Sequence, residues 1–453
     1  MDRSLTYLSL CGMLGYGYPL ASLQKGLDSD PDFIGVDAGS TDPGPYYLGS
    51  GEAFVKRSQV ARDLGPALEA AIAHDIPLII GTAGGAGARP HVDGFMDILR
   101  EVASDRGLHF DAAVIYADME PEVVEAALQA DRITPCGPVP PLEPGTASDC
   151  ANLVAQMGTG PLIEALQTGA DVIVAGRCCD TAIFAALPIM RGFDPALAFH
   201  AAKIAECGTL CARPGGANDA LLCTLAEDHF TVRPPNPDKS CYPDTVAAHT
   251  LYEQPDPDRS IEPEGIIDIS ECEFEASGDR GVTVGGTRLH KADSHCLKIE
   301  GAALRGYRTI SVACTRDPQV ITHLDEIEQA VRASVKENTD IPPSDYSLQF
   351  ITYGKDAILQ DHEPSTQTPH EVGVVIEVIA PTQQQSDAIC SLARSTALHQ
   401  HFEDRKTTAG NLAFPFSPSD FSGGPVHEFA VYHLMEVENE REMFPVHVEE
   451  VGL

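Results

Sequence analysis

Short apolar runs alternate with amphipathic segments over the first 300 residues of the chain. Five runs have the continuous apolar character of strands that are covered on both faces. These predicted strands are Tyr7–Met13, Phe33–Val36, Pro77–Ile80, Ala112–Tyr116 and Asp171–Ala175. In one of the intervening segments, Leu64, Leu68 and Ile72 recur every four residues and predict the buried face of a helix. The repeated order of strand, helix and strand predicts an α/β domain with a mostly parallel sheet.

The pattern changes after Gly301. Six segments follow in the order strand, helix, strand, strand, helix, strand, which is the order of a ferredoxin-like fold. The segments are Arg308–Cys314, Pro318–Lys336, Ser347–Tyr353, Val372–Ile379, Thr382–Leu398 and Val426–Met435. We therefore predict a large α/β domain over residues 1–300 and a smaller, ferredoxin-like α+β domain over residues 301–453.

The charge balance excludes several classes of partner. The chain has 30 Lys and Arg against 67 Asp and Glu, which gives a formal net charge of -37. Nucleic acids and anionic membrane surfaces both require a basic face, so we expect neither as a partner. No apolar stretch approaches the length of about 18 residues that predicts a membrane span, and the N-terminus lacks the pattern of a signal peptide. We therefore expect a cytoplasmic protein.

The cysteines indicate reduced thiols. There are 13 of them, an odd number scattered through a long chain, and no Cys-x-x-Cys pair occurs. The spacings fit neither a zinc site nor an iron–sulfur site, so no metal is predicted. No dinucleotide fingerprint or Walker motif is evident either, and we therefore predict no cofactor.

Three polar junctions that contain glycine each follow a predicted strand, and in a parallel sheet all three lie where ligands bind, at the carboxyl ends of the strands. The first, residues 37–51, offers the carboxylate of Asp37 and the hydroxyls of Ser40 and Thr41. Its Asp-x-Gly-Ser-Thr pattern resembles the phosphate loop of the actin and sugar-kinase ATPase superfamily. The other interpretation is a tight turn with an Asx cap.

The second junction, residues 81–91, is the richest in glycine. Its backbone N–H groups precede a predicted helix and so form a natural anion site. Four of its residues supply these groups: Thr82, Gly84, Gly85 and Gly87. Arg89 adds a guanidinium for a carboxylate or phosphate, and His91 is a candidate acid or base near neutral pH. The alternative is a close-packed glycine turn.

The third junction, residues 176–181, places Arg177 beside Cys178 and Asp180. Arg177 is a second candidate for binding an anion. A cysteine near an arginine and a helix start is a candidate nucleophile, although small buried cysteines are common. Asp180 fits proton transfer or helix capping.

Two further segments carry candidate residues. Arg213 lies in another glycine-rich turn, and Asn411 lies in the long segment 406–420 that joins the second predicted helix to the last strand. A connection of that length in a compact domain is usually functional. It is expected either to close over the pocket of the large domain or to dock the two domains.

Four segments together resemble the acyclic terpene utilisation (AtuA-like) family: residues 37–51, 82–91, 176–181 and especially 410–420. The resemblance spans nearly the whole chain. It implies a large N-terminal domain followed by a ferredoxin-fold domain. It also implies the catabolism of branched acids and their CoA thioesters, with a small companion protein as a partner. It supplies no catalytic residues.

We therefore expect a catabolic enzyme that acts on a small carboxylate or acyl-CoA thioester with lyase or hydratase chemistry, and that forms a homo-oligomer. Four side chains are predicted to be catalytic: Asp37, His91, Cys178 and Asp180. Ten residues are predicted to bind the substrate: Ser40, Thr41, Thr82, Gly84, Gly85, Gly87, Arg89, Arg177, Arg213 and Asn411. Three alternatives stay open, namely a cysteine hydrolase, a non-catalytic or regulatory subunit of a larger complex, and an ATPase or phosphotransferase built on the Asp37 loop.

Overall fold

The computed structural model of the chain describes residues 3–452. Its helices are α1 (Leu20–Leu27), α2 (Pro45–Ser50), α3 (Arg57–His74), α4 (Arg89–Arg106), α5 (Pro121–Gln129), α6 (Thr159–Gln167), α7 (Asp180–Met190), α8 (Pro195–Ala205), α9 (Pro243–Thr250), α10 (Pro318–Thr322), α11 (Leu324–Asn338), α12 (Gln383–His399) and α13 (Glu440–Met443). Its strands are β1 (Leu5–Ser9), β2 (Phe33–Gly39), β3 (Leu78–Gly85), β4 (Phe110–Ile115), β5 (Ile133–Pro135), β6 (Cys150–Gln156), β7 (Val172–Ala175), β8 (Ala212–Arg213), β9 (Leu221–Leu225), β10 (His229–Arg233), β11 (Ser240–Cys241), β12 (Arg259–Glu262), β13 (Gly265–Asp268), β14 (Glu273–Ser277), β15 (Gly281–Gly285), β16 (Arg288–Lys291), β17 (His295–Thr315), β18 (Ser347–Tyr353), β19 (Val372–Ala380), β20 (Asp420–Val437) and β21 (Val446–Val451).

The chain forms two units of mixed α/β structure. One comprises the described residues up to Ala303 together with those from Phe429 onward, and the other is Leu304–Glu428. The sequence analysis assigns the whole of 301–453 to the second domain, whereas the chain from Phe429 belongs to the first unit. There β21 pairs antiparallel with β4. The alternation of apolar residues predicts a strand, but it does not say which sheet the strand joins.

A ten-stranded sheet organises the first unit, in the order β14-β15-β10-β9-β1-β2-β3-β7-β4-β21. The neighbours from β1 through β2, β3 and β7 to β4 are parallel. The strands beyond β1 and β4 pair antiparallel. The sheet is thus mixed and not mostly parallel as predicted. The sequence analysis does not predict the antiparallel strands of this sheet, because it assigns strands in the first 300 residues only to continuous apolar runs.

The five parallel strands are the five that the apolar runs predict. The first is shorter than predicted and ends at Ser9, whereas β3 is longer and extends through the glycine segment to Gly85. Alternate residues of these strands enter different cores. Ile79 belongs to the cluster that contains Phe184 of α7, and Ile80 belongs to the one that contains Phe95 of α4. Burial on both faces is the reason for the continuous apolar runs.

The second unit contains β18, β19 and parts of β17 and β20, which lie in the order β18-β19-β17-β20. Strand β19 is antiparallel to both β17 and β18. Val331 of α11, Ile389 of α12 and Ile376 of β19 share one hydrophobic core. The predicted helix Pro318–Lys336 is present as two helices, α10 and α11, which are separated at His323.

Candidate active site

A pocket of about 380 Å³ lies in the first unit where the central parallel strands end. Gly12 and Met13 follow β1, Asp37 lies near the end of β2, and Asp180 follows β7. The remaining lining residues are Tyr16, Ser40, Asp42, Pro43, Phe54, Glu206, Cys207, Leu210, Ala217, Tyr252 and Glu253. The ligand-binding edge that the sequence predicts therefore holds an open pocket.

Asp37 is a buried carboxyl held by the end of its own strand. Its Oδ1 accepts hydrogen bonds from the backbone N–H groups of Ala38 at 2.9 Å and Gly39 at 3.4 Å. Burial and the nearby charge of Asp180 raise the pKa of Asp37 well above its ordinary value, and the guanidinium of Arg177 only partly opposes them. The Asp37 carboxyl therefore retains a proton at a higher pH than an exposed aspartate does.

Asp180 and Glu206 form a carboxyl pair in the same pocket. Asp180 is the first residue of α7, and Glu206 immediately follows the end of α8. Burial raises the pKa of both, and the charge of Asp180 further raises that of Glu206. Glu206 therefore retains a proton at a higher pH than an exposed glutamate does.

Lys203 is the cation that pairs with Glu206. It lies one turn before Glu206 on α8, is buried, and forms an ion pair with the Glu206 carboxylate. Its Nζ also lies 5.5 Å from the centre of the Tyr252 ring. Burial and the charge of Asp180 raise the pKa of Glu206, and Lys203 lowers it by a smaller amount. Lys203 therefore favours the ionised form of the Glu206 carboxyl.

The wall of the pocket is acidic. Asp42 and Glu253 are exposed and join Asp37, Asp180 and Glu206. Of the described residues that line the pocket, none is a lysine or an arginine. An anionic group inside the pocket would therefore be repelled by carboxyls on several sides. An uncharged group whose oxygens accept hydrogen bonds avoids this repulsion and can bind the protonated carboxyls.

Arg177 is buried beside the pocket and forms a network of its own. Its Nε donates to Glu300 Oε2 at 2.7 Å, and its Nη2 donates to Thr41 Oγ1 at 3.0 Å. Thr41 and Lys298 bind the other Glu300 oxygen at 2.8 and 2.9 Å. Although burial alone would raise it, these cations lower the pKa of Glu300 to about 2. Both Arg177 and Thr41 thus contribute to a buried ion pair, and neither lines the pocket.

The glycine segment of the second junction is part of the sheet and packs tightly. A Cβ on Gly39 would lie 1.9 Å from the carbonyl oxygen of Gly85, and a Cβ on Gly87 would lie 2.2 Å from the backbone nitrogen of Arg177. The Arg177 N–H donates to the Gly87 carbonyl at 3.1 Å. The glycines of this segment therefore allow the backbones to approach each other closely. Thr82 and Gly84, in the same segment, both have positive φ.

His91 lies in the first turn of α4 and is 2% exposed. Its Nε2 is 3.1 Å from the carbonyl oxygens of both Tyr47 and Glu52. Burial lowers the pKa of His91, so its imidazole is neutral at neutral pH. His91 is not among the residues that line the acidic pocket. It lines a separate cavity of about 170 Å³.

Two other predicted site residues, Arg89 and Arg213, form contacts elsewhere. The exposed Arg89 guanidinium lies 4.0 Å from the centre of the Tyr116 ring. Arg213 is exposed and pairs with Asp244 at 2.8 Å. Neither arginine lines the acidic pocket, so the structure does not bring the three predicted arginines together around it.

Asn411 belongs to the second unit. Its Nδ2 donates to the carbonyls of Ala397 at 3.0 Å and Gln400 at 2.8 Å, and it thereby holds the end of α12.

The first junction differs from the ATPase loop that it resembles. In that superfamily the loop joins two strands of a hairpin, whereas here β2 leads into α2 and then α3, and it pairs in parallel with β3. Ser40 lines the acidic pocket next to Asp37. Its hydroxyl accepts a hydrogen bond from the Asp42 N–H at 3.1 Å, as in a polar turn.

Both cysteines near the pocket are poor nucleophiles. Cys178 is fully buried and its Sγ lies 3.7 Å from Thr82 Oγ1, while Cys207 lines the pocket. Burial, together with nearby carboxylates, raises the pKa of each thiol to about 12. Both are therefore expected to remain protonated at neutral pH, which disfavours the cysteine hydrolase alternative.

Alkylation with iodoacetamide at pH 7.5 is expected to modify Cys314 first, because its side chain is exposed. A rise in pKa from 9 to about 12 leaves Cys178 with roughly a thousandfold less thiolate, and burial slows the reaction further. Peptide mass spectrometry over a time course measures both rates. Modification of Cys178 as fast as Cys314 would contradict this chemistry and restore Cys178 as a candidate nucleophile.

The sequence analysis missed the most informative members of the site. Lys203 and Glu206 form an ion pair across three residues at the end of α8, and that spacing is the only local signal for them. Tyr16 and Tyr252 also line the pocket, and they lie in segments where the sequence analysis identifies no motif.

Among residues 3–452, no group of three or more His, Cys, Asp or Glu side chains is arranged to hold a metal ion. Within the same range, no helix has the length and apolar character needed to cross a membrane.

The fold and the pocket define an α/β protein with a cluster of protonatable carboxyls at the carboxyl edge of its sheet. Residues 55–218 and 230–408 match the acyclic terpene utilisation family protein AtuA, and the chain belongs to this family. Membership implies a role in acyclic terpene catabolism. No curated protein and no solved structure matches the chain.

Proposed function

We propose that this protein is an enzyme of acyclic terpene catabolism that transfers protons in a lyase or hydratase reaction. Its substrate would be a small carboxylate or, by preference, an acyl-CoA thioester. The observation that carries the proposal is that Asp37, Asp180 and Glu206 line one pocket with raised pKa values. Groups whose pKa values move toward neutral pH are suited to general acid–base catalysis.

The carboxyl pair supplies an acid and a base together. In this mechanism Glu206, whose pKa is raised by burial and by the charge of Asp180, acts as the acid, and Asp180 in its ionised form acts as the base. In a dehydration, Asp180 takes a proton from the carbon next to the carbonyl, and Glu206 protonates the hydroxyl that leaves as water. In a carbon–carbon lyase reaction, Asp180 takes the hydroxyl proton and Glu206 protonates the carbanion or enolate that forms when the bond breaks. Burial and the charge of Asp180 also raise the pKa of Asp37, so its carboxyl is a third protonatable group in the pocket.

The charge of the wall favours the thioester over the free acid. A thioester carbonyl is neutral and accepts a hydrogen bond, whereas a carboxylate in the same place would face Asp42, Glu253 and the buried carboxyls. The charged groups of coenzyme A would then remain outside the pocket. We further propose that the second unit is a ferredoxin-like domain, which its element order and strand order support. A homo-oligomer, a small companion protein and a cytoplasmic location remain predictions.

The test is turnover by the pure protein with branched acyl-CoA thioesters and the matching free acids, followed by liquid chromatography and mass spectrometry across pH 4–10. We expect turnover of thioesters and a bell-shaped dependence of kcat on pH. The raised pKa of Glu206 keeps the acid protonated well above the ordinary pKa of 4.5, so the alkaline limb should lie above that value. An alkaline limb near pH 4.5, or turnover of free acids alone, would contradict the proposed roles. Absence of turnover with every compound would contradict the enzyme assignment itself.

A further inference from the structure

Two cysteines of the first unit, neither of which lines the acidic pocket, have their sulfur atoms in contact. Cys211 ends the short helical turn Gly208–Cys211, and Cys241 is the second residue of β11. Their Sγ atoms lie 3.7 Å apart, and the two residues are 1% and 3% exposed. We propose that Cys211 and Cys241 are a redox-active dithiol, which a hydroperoxide oxidises to an intramolecular disulfide and a thiol reductant restores.

The backbone around the pair holds the two sulfurs side by side. Strands β8 and β11 pair antiparallel, with Cys241 opposite Ala212, the residue that follows Cys211. The Cys241 N–H also donates to the Arg280 carbonyl at 3.0 Å. An S–S bond is about 2 Å long, so each sulfur needs to move by less than about 1 Å to form it. Two segments that lie 30 residues apart in the chain thus meet at a distance that suits a disulfide.

The oxidation consumes one molecule of peroxide. One thiolate attacks the O–O bond, becomes a sulfenic acid and releases hydroxide. The second sulfur, as a thiolate, displaces hydroxide from the sulfenic sulfur, and the S–S bond forms. The two thiol protons convert both hydroxides to water, so two thiols and one hydrogen peroxide give one disulfide and two waters. The second step is intramolecular, which is why a pair in contact closes a disulfide more readily than isolated cysteines do.

Burial and ionisation make the reduced pair the resting state. Hydrogen bonding with Cys241 and burial raise the pKa of Cys211 well above its ordinary value, so oxidation at neutral pH is slow. The pair nevertheless lies just beneath the surface, because its neighbours Arg213 and Tyr242 are exposed. Strands β8 and β11 have only two residues each, and a ribbon this short opens locally without unfolding the large sheet.

The disulfide would restrain one wall of the acidic pocket. Leu210 lies in the same helical turn as Cys211, Cys207 immediately precedes that turn, and both line the pocket. Oxidation would tie this turn to β11 and so reduce the movement of the wall. Only an effect on turnover rests on the proposed function, because the disulfide forms and is measured without a substrate.

The test exposes the reduced full chain to hydrogen peroxide, denatures it in iodoacetamide and maps its peptides by mass spectrometry without a reductant. We expect a peptide cross-linked between Cys211 and Cys241 that disappears with dithiothreitol. It should be at least about tenfold more abundant than any cross-link to Cys390. Cys390 is the internal control because it is 0% exposed, and its Sγ lies 3.9 Å from the Ile376 carbonyl oxygen. Hydrogen exchange of residues 208–213 should be about threefold slower in the oxidised form.

Two variants complete the test. Cys241→Ala should abolish the cross-link to Cys211, and Cys390→Ala should leave its yield within about twofold of wild type. The cross-link is mapped in the wild-type protein, so the result stands even if a variant does not fold. Recovery of Cys211 and Cys241 as alkylated thiols or as separate sulfinic acids would overturn the proposal.

Two further outcomes separate the parts of the argument. Equal hydrogen exchange of residues 208–213 in the reduced and oxidised forms would overturn the restraint on the pocket wall. Formation of the disulfide in a protein that turns over no thioester would support the redox pair and contradict only the proposed function.

Discussion

Replacement of Asp180 by Asn is expected to lower kcat by about 10²–10⁴-fold, with a much smaller change in KM. Asn has nearly the same shape, and it can still begin α7 and share a hydrogen bond with Glu206. It cannot accept a proton, so the variant removes the base and leaves the pocket otherwise intact. Initial rates with a branched acyl-CoA thioester measure the effect.

Glu262→Gln is the matched control for this substitution. Glu262 is also a buried carboxyl, accepts a hydrogen bond from Thr181 Oγ1 at 2.6 Å, and has its pKa raised to about 8 by burial. It does not line the acidic pocket, and a Gln oxygen can accept the same hydrogen bond. We expect its kcat within about twofold of wild type. Wild-type activity in Asp180→Asn would exclude Asp180 as the base, and equal losses in both variants would show a structural effect.

Replacement of Glu300 by Gln is expected to lower the free energy of unfolding by about 3–5 kcal/mol. Glu300 is 0% exposed and its partner Arg177 is 3% exposed, so the substitution leaves a buried guanidinium without its counter-charge. Lys298 loses the same partner. Urea denaturation followed by circular dichroism measures the loss.

An exposed ion pair provides the comparison. Glu101 pairs with Arg57 on the surface, where both side chains are about half exposed. Glu101→Gln is therefore expected to cost less than about 1 kcal/mol. A loss in Glu300→Gln no greater than that in Glu101→Gln would mean that the buried network is not what stabilises the third junction.

Much of the site could be predicted because its position follows from the strands. Buried parallel strands require continuous apolar runs, and those runs place Asp37 and Asp180 at the ends of β2 and β7, where the pocket lies. Ser40 was predicted for the same reason and also lines the pocket. These predictions needed only the local sequence and the geometry of a parallel sheet.

The roles of the arginines could not be predicted in this way. A guanidinium in a glycine-rich turn looks the same in sequence whether it binds a ligand or another side chain. Glu300, which binds Arg177, is 123 residues away along the chain, and Arg89 lies over a ring from another strand end. Arg213 pairs with Asp244, which belongs to none of the motifs identified in the sequence. Such contacts depend on which distant segments meet.

The sequence alone determined the family, the central parallel strands and the edge of the sheet where carboxyls gather, because residues near one another in the chain produce these features. Only the tertiary structure decided which carboxyls meet in the pocket. Burial raises the pKa of both Asp180 and Glu206, and the nearby charge of Asp180 raises that of Glu206 further. Both effects arise because α7 and α8 bring the two side chains into one pocket, and no local sequence pattern indicates this. The same holds for the cavity beside His91, whose walls come from four separate segments of the chain.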